Sequence, residues 1–149
     1  MSKVIGTLGN VDSLSFAGRT FIDEPIVLTG IVSGATNTTF RLMGATAGYA
    51  VTAGKVLTIK AIKIYSLDST QQSYFFSQSD NDVGSSSGTS PSSPLYLFGS
   101  SAGNIKQSAT IGAITELACS FAVASGKYFS VTGSGGGAGA QIIVIGTEA

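Results

Sequence analysis

The stretch Lys55-Val-Leu-Thr-Ile-Lys-Ala-Ile-Lys-Ile-Tyr65 decides the fold class. Leu57, Ile59 and Ala61 alternate with Thr58 and Lys60, and then Ile62 and Ile64 take the apolar role while Lys63 and Tyr65 take the polar one. A period of two is that of a strand with one face on a core and one in water. The phase slips by one residue at Ala61/Ile62. Without a repair that slip would turn half of the apolar set to solvent, so it predicts a β-bulge there, bending the strand as the corners of a sandwich require.

Runs rich in Val, Ile, Thr, Phe and Tyr recur on either side of this stretch, punctuated by Gly and Ser at about 8–12-residue intervals, and helix signals are almost missing. Strands are expected at Ile26–Val32, Thr38–Met43, Lys55–Leu67, Gln72–Gln78, Leu95–Phe98, Ile114–Ala124, Lys127–Thr132 and Ala140–Thr147. Seven or eight main antiparallel strands predict a single-domain, all-β sandwich, jelly-roll-like, over residues 26–149. Residues 1–25 carry scattered apolar side chains without a firm period and form an N-terminal arm or a first strand. In Ile114–Ala124, Leu117, Cys119, Phe121 and Val123 alternate with Glu116, Ala118, Ser120 and Ala122, which places Cys119 in the core. The last strand, with Ile142-Ile143-Val144-Ile145, does not alternate. Both of its faces are therefore expected to be covered, one by the core and the other by a partner chain, the N-terminal arm or the protein's own loops. Asp80–Pro94 and Gly133–Gly139 are Ser/Gly-rich loops, the first with little to bury.

Two segments echo each other at an offset of 72 residues. Val51-Thr-Ala-Gly-Lys-Val-Leu-Thr-Ile-Lys60 matches Val123-Ala-Ser-Gly-Lys-Tyr-Phe-Ser-Val-Thr132 in residue type at most positions. Each reads as a strand end, a turn whose Gly54 or Gly126 takes positive φ, and a new alternating strand. A double Greek key would put them in related places in two sheets; common hairpin chemistry is the alternative.

Gly 20, Ser 22 and Thr 15 residues make up 57 of the 149, and only 11% are charged, eight basic against eight acidic. Soluble domains usually carry about 25% charged residues. Zero net charge removes the phosphate electrostatics of non-specific nucleic-acid and anionic-membrane binding, so neither is an expected partner. It also offers little colloidal repulsion, which suits a protein that works assembled. Histidine is absent and Cys119 is the single cysteine, so Ser-His and Cys-His nucleophile pairs, intrachain disulfides and thiolate metal clusters are excluded. The chain is expected to be no enzyme and to need no cofactor. Met1–Gly9 lacks the apolar run of a signal peptide and no run of 18 apolar residues occurs, so synthesis in a cytoplasm and no membrane span are expected.

The remaining motifs are weak. Gly133-Ser-Gly-Gly-Gly-Ala138 fits a dinucleotide fingerprint in letters only, because it joins two strands where a helix start is needed. Asp80, Asp82 and Gly84 resemble the start of a calcium loop, but Gly84 and Pro91 stand at ligand positions. Asp23 and Glu24 are adjacent and would face opposite sides of a strand. The aromatics Tyr74, Phe75 and Phe76, with Tyr96 and Phe98, suit core packing and a subunit interface better than a sugar cleft, since the chain has no Trp.

The V-x-A-G-K turn of Val51–Lys60 and its counterpart in Val123–Thr132, with an apolar closing strand and few charges, resemble small structural accessory proteins of tailed bacteriophages. The nearest are capsid decoration (cement) proteins with jelly-roll or related folds. The resemblance implies a non-enzymatic virion protein made in the host cytoplasm, seated between capsomers as a homotrimer on the major capsid protein and stabilising the shell. Tyr74, Phe75, Phe76, Ile143 and Ile145 would then form the subunit interface, and Val4, Leu8, Leu14 and Phe16 in the arm would contact the shell. The resemblance also extends to tail and baseplate proteins, where the alternative is a carbohydrate- or receptor-binding module using Tyr74, Tyr96 and the loops.

Overall fold

A computed structural model describes residues 24–97, 105–135 and 137–149, with the backbone of two short strands before them. The strands are β1 (Leu14–Phe16), β2 (Arg19–Phe21), β3 (Pro25–Val32), β4 (Asn37–Thr39), β5 (Arg41–Leu42), β6 (Leu57–Ser66), β7 (Ser73–Ser79), β8 (Leu95–Tyr96), β9 (Ile105–Lys106), β10 (Ile114–Val123), β11 (Tyr128–Ser134) and β12 (Ala140–Glu148). The first sheet runs β10-β6-β12-β3-β5, and the second runs β4-β11-β7-β8 with β9 also on β7. All of these pairings are antiparallel. β1 and β2 form a separate two-stranded sheet.

Eight strands (β3, β4, β6, β7, β8, β10, β11, β12) carry the topology. First pairs with last (β3 with β12), second with seventh (β4 with β11), third with sixth (β6 with β10) and fourth with fifth (β7 with β8). That nesting is an antiparallel ribbon rolled up into two Greek keys, a jelly roll. Advancing four strands along such a ribbon exchanges the two sheets. The echoed segments lead into β6 and β11, the third and seventh strands, so they hold equivalent places in opposite sheets. Their turns also touch: the Gly54 amide donates to Ser125 Oγ at 2.8 Å, and the Val51 amide donates to the Lys127 carbonyl at 2.9 Å. Gly54 and Gly126 take φ of 79° and 73°.

The bulge lies where the alternation slips. Against β12, Ala61 pairs with Ile145 and Ile59 with Gly146, leaving Lys60 as the extra residue. β10 answers with its own irregularity between Ala118 and Phe121. On either side of the bulge, Leu57, Ile59, Ile62 and Ile64 all stay buried.

The core between the sheets is built from these residues with Leu28, Val32, Phe40, Tyr74, Phe76, Phe129, Val131, Ile142 and Val144. Phe40, Phe76 and Phe129 stack with centroids 5.2–6.2 Å apart. Phe40 also corrects the expected strand Thr38–Met43. The chain switches sheets there, β4 joining the second and β5 the first, while the Phe40 ring fills the corner at 0% exposure.

Two further expectations are corrected. Cys119 is half-buried on the inward row of β10, because β10 is the edge of its sheet and the core covers it only in part. Asp80–Pro94 buries more than its composition predicts. It lies over the second sheet, where Val83 is buried and donates its amide to Thr39 Oγ1 at 2.9 Å, and Ser77, Ser79, Ser130 and Thr39 are sealed beneath it. Asp82 fastens the loop by accepting the Gly48 and Gly84 amides, both at 2.8 Å.

Candidate interaction surface

Ser130 Oγ lies 3.3 Å from Thr39 Oγ1 and 3.2 Å from Ser79 Oγ, a hydroxyl ladder roofed by the Asp80–Pro94 loop. The outward face of the second sheet is thus clad by the protein's own chain at this end. Among the described residues that loop reaches the first sheet only at its β3 end, where Ser86 Oγ donates to the Ile31 carbonyl at 2.8 Å and Ser85 lines the outward face, and register places the side chains of that face in three rows. Ile114, Tyr65, Gln141 and Ile31 form the first; Glu116, Lys63, Ile143, Thr29 and Arg41 the second; Ala118, Ala61, Ile145 and Val27 the third.

Apolar side chains dominate the outer rows. Val27, Ile31, Tyr65 and Ile114 are 40%, 49%, 41% and 57% exposed, values at which large apolar side chains meet water directly. Ile114 stands beside Tyr65 and Val27 beside Ile145 across the strands, and grouped exposed apolar side chains mark interaction surfaces more often than scattered single residues do. In the middle row Lys63 Nζ lies 3.5 Å from Glu116 Oε1, so the two charges nearest the centre cancel. An exposed pair of this kind adds little stability, but it leaves the face close to neutral. At the β3/β5 end the face dips into an open pocket of ≈ 290 Å³ lined by Thr29, Gly30, Ile31, Arg41, Ser85 and Gln141.

The interface residues expected from sequence divide between two places. Ile143 and Ile145 are half-buried on this outward face, while their neighbours Ile142 and Val144 are fully buried in the core. The expected second cover on β12 is therefore not supplied by any described part of the same chain. Tyr74 and Phe76 point into the core at 0% and 2% exposure, which removes both from any subunit contact and Tyr74 from any sugar platform. Phe75, between them, faces out of the second sheet and is half-buried. Tyr96 is half-buried on the short strand β8. Val4 and Leu8 lie outside the described residues, and Leu14 and Phe16 enter only through the backbone of β1.

Acidic side chains serve as staples. Burial pushes the Glu148 carboxyl up, but hydrogen bonds from the Thr52 amide (2.8 Å), the Thr52 hydroxyl (2.8 Å) and the Tyr49 phenol (2.9 Å) outweigh it and hold the carboxyl below its usual value. Asp82 is likewise pushed up by burial and brought lower by the Gly84 and Gly48 amides. The Thr70 and Ala138 amides lower Asp68, and the Lys127 ammonium, 2.7 Å away, lowers Asp80. The calcium-loop likeness at Asp80 and Asp82 dissolves into these separate partnerships, and no group of three metal-ligating side chains occurs among the described residues. Sequence reasoning missed the staples because each also reaches a residue far away in the chain, Ala138, Lys127, Gly48 or Thr52; the local halves, Asp68 to the Thr70 amide and Asp82 to the Gly84 amide, are the local sign. No protein-family model, curated protein or solved structure matches the chain.

Proposed function

We propose that this chain is a non-enzymatic structural protein of a virus particle, a capsid decoration protein that assembles as a homotrimer and reinforces the shell. The observation that supports the reading is the bare outward face of the first sheet. One face of the sandwich is roofed by the protein's own loop, while the other presents Val27, Ile31, Tyr65, Ile114, Ile143 and Ile145 around a cancelled ion pair. A second copy of the chain suits that face, because a near-neutral apolar surface on a chain of zero net charge meets its own copy without repulsion. Attachment would be passive and multivalent, each copy adding modest contacts that combine through avidity.

Light scattering across a concentration series tests this. The expected result is a particle of three times 15.0 kDa for the native chain. Ile143→Lys combined with Ile145→Lys, which leaves the core rows untouched, is expected to reduce it to the single-chain mass. A native chain that stays monomeric at every concentration would overturn the reading. Co-sedimentation of the trimer with purified capsid shells then separates decoration from a tail or baseplate role.

A further inference from the structure

Of the sandwich's edges, all but one are short or covered. β4 has three residues and is bridged by the Asn37 and Ser87 backbones, β5 has two residues, and β8 and β9 have two each. The exception is β10, ten residues long, paired with β6 on one side and with no other strand among the described residues. It carries one charge, Glu116, and neither Lys nor Pro, the residues that commonly keep an open edge from pairing. Its inward row is also incompletely covered. Thr115, Leu117 and Cys119 are half-buried, whereas the inward Leu57, Ile59, Ile62 and Ile64 of β6 are at most 1% exposed.

Among the described residues there is one further piece of sheet, the hairpin β1–β2, whose register opposes Leu14 to Phe21, Ser15 to Thr20 and Phe16 to Arg19. A two-stranded ribbon is at best marginally stable alone. This hairpin cannot complete its own β10. It leads directly into β3, which stands three strands from β10, so the slot beyond β10 lies four interstrand spacings away, about 19 Å. The four steps from Phe21 to Pro25 span at most about 14 Å when fully extended.

We propose that the β1–β2 hairpin of one copy adds to the β10 edge of a second copy and extends that copy's five-stranded sheet to seven strands. Main-chain hydrogen bonds along β10 supply the affinity, as in other strand additions. The apolar–hydroxyl alternation Leu14-Ser15-Phe16 suits a strand that continues the half-covered Thr115–Leu117–Cys119 row. Donor and acceptor are different surfaces, so the contact is head-to-tail, and in an assembly of finite size it closes into a ring. A three-membered ring joins the copies of the trimer proposed above at their sheet edges, beside the contact through the bare face, and the inference rests on that reading.

Cys119 sits within the acceptor edge and is the only thiol, so its rate of reaction with a maleimide reports whether the edge is occupied. The samples are the full chain, a chain lacking residues 1–23, which keeps all eight sandwich strands, and that truncated chain with a synthetic peptide of residues 12–23. Ser15→Pro in the full chain, which removes one amide from the donor strand and leaves the sandwich intact, is the second variant. The truncated chain and Ser15→Pro are expected to be monomers with native circular dichroism, and to label at least about tenfold faster than the assembled full chain, with the peptide restoring slow labelling. A truncated chain that remains trimeric and labels at the full-chain rate overturns the inference and leaves the trimer reading standing. A full chain that is monomeric while the peptide still protects Cys119 overturns the trimer reading and upholds docking at β10.

Discussion

Tyr74 donates its phenol to Gln107 Oε1 at 2.5 Å, and Gln107 Nε2 donates to the Thr70 carbonyl at 2.8 Å, tying the segment before β7 to the one after β9. Burial, reinforced by the charge of Asp68, pushes the Tyr74 phenol up to about 12. A folded value above the usual 10.0 means that the neutral phenol stabilises the fold fully below that value, and that this contribution is lost as pH rises toward 12. Tyr74→Phe strands a buried acceptor, so urea unfolding is expected to show a loss of about 1–3 kcal/mol. An unchanged midpoint would mean that water or a rearranged Gln107 satisfies the site. That an aromatic strand runs through Tyr74-Phe75-Phe76 is legible in the sequence. Which rings point inward is not, because three successive aromatics carry no alternation, and only the second sheet's place on the core selects Tyr74 and Phe76.

Elements were legible wherever alternation was strong. In β6 the slip at Ala61/Ile62 announced the bulge, because the burial period is a local property of the backbone. β4 and β5 were not separable in Thr38–Met43, since a chain that changes sheets keeps extended geometry through the corner. β9 was invisible at two residues. Between β11 and β12 the turn depends on Gly139 in two ways. Its φ is +79°, and a Cβ there would fall 1.8 Å from the Val32 carbonyl oxygen. Gly54 has the same φ with open space around it. Gly54→Ala is therefore expected to cost about 1 kcal/mol, the left-handed backbone penalty alone, whereas Gly139→Ala is expected to cost more than about 2 kcal/mol because β3 or the turn must move. Denaturant titration of the two variants checks this, and equal losses would show that the close approach to Val32 is not retained in solution.

Over the whole molecule the carboxylates act together. Asp68, Asp80, Asp82 and Glu148 are all held below their usual values of 3.8 and 4.5. Groups lowered by folding contribute stability that is complete above those usual values and is lost as pH falls through the folded ones. The melting temperature is expected to be nearly flat from about pH 8 to 5 and to fall steeply below about pH 4. A melting temperature maintained to about pH 2 would show that the staples contribute little. The sequence by itself determined the all-β class, the main strands, the bulge and the two echoed glycine turns, because alternation and positive φ are written in neighbouring residues. Only the tertiary structure decided the nested pairing of first strand with last, the roof of Asp80–Pro94 over one sheet and, among the described residues, the bare face of the other and the open β10 edge. Those depend on which strands become neighbours, and a strand's partners leave almost no trace in its own residues.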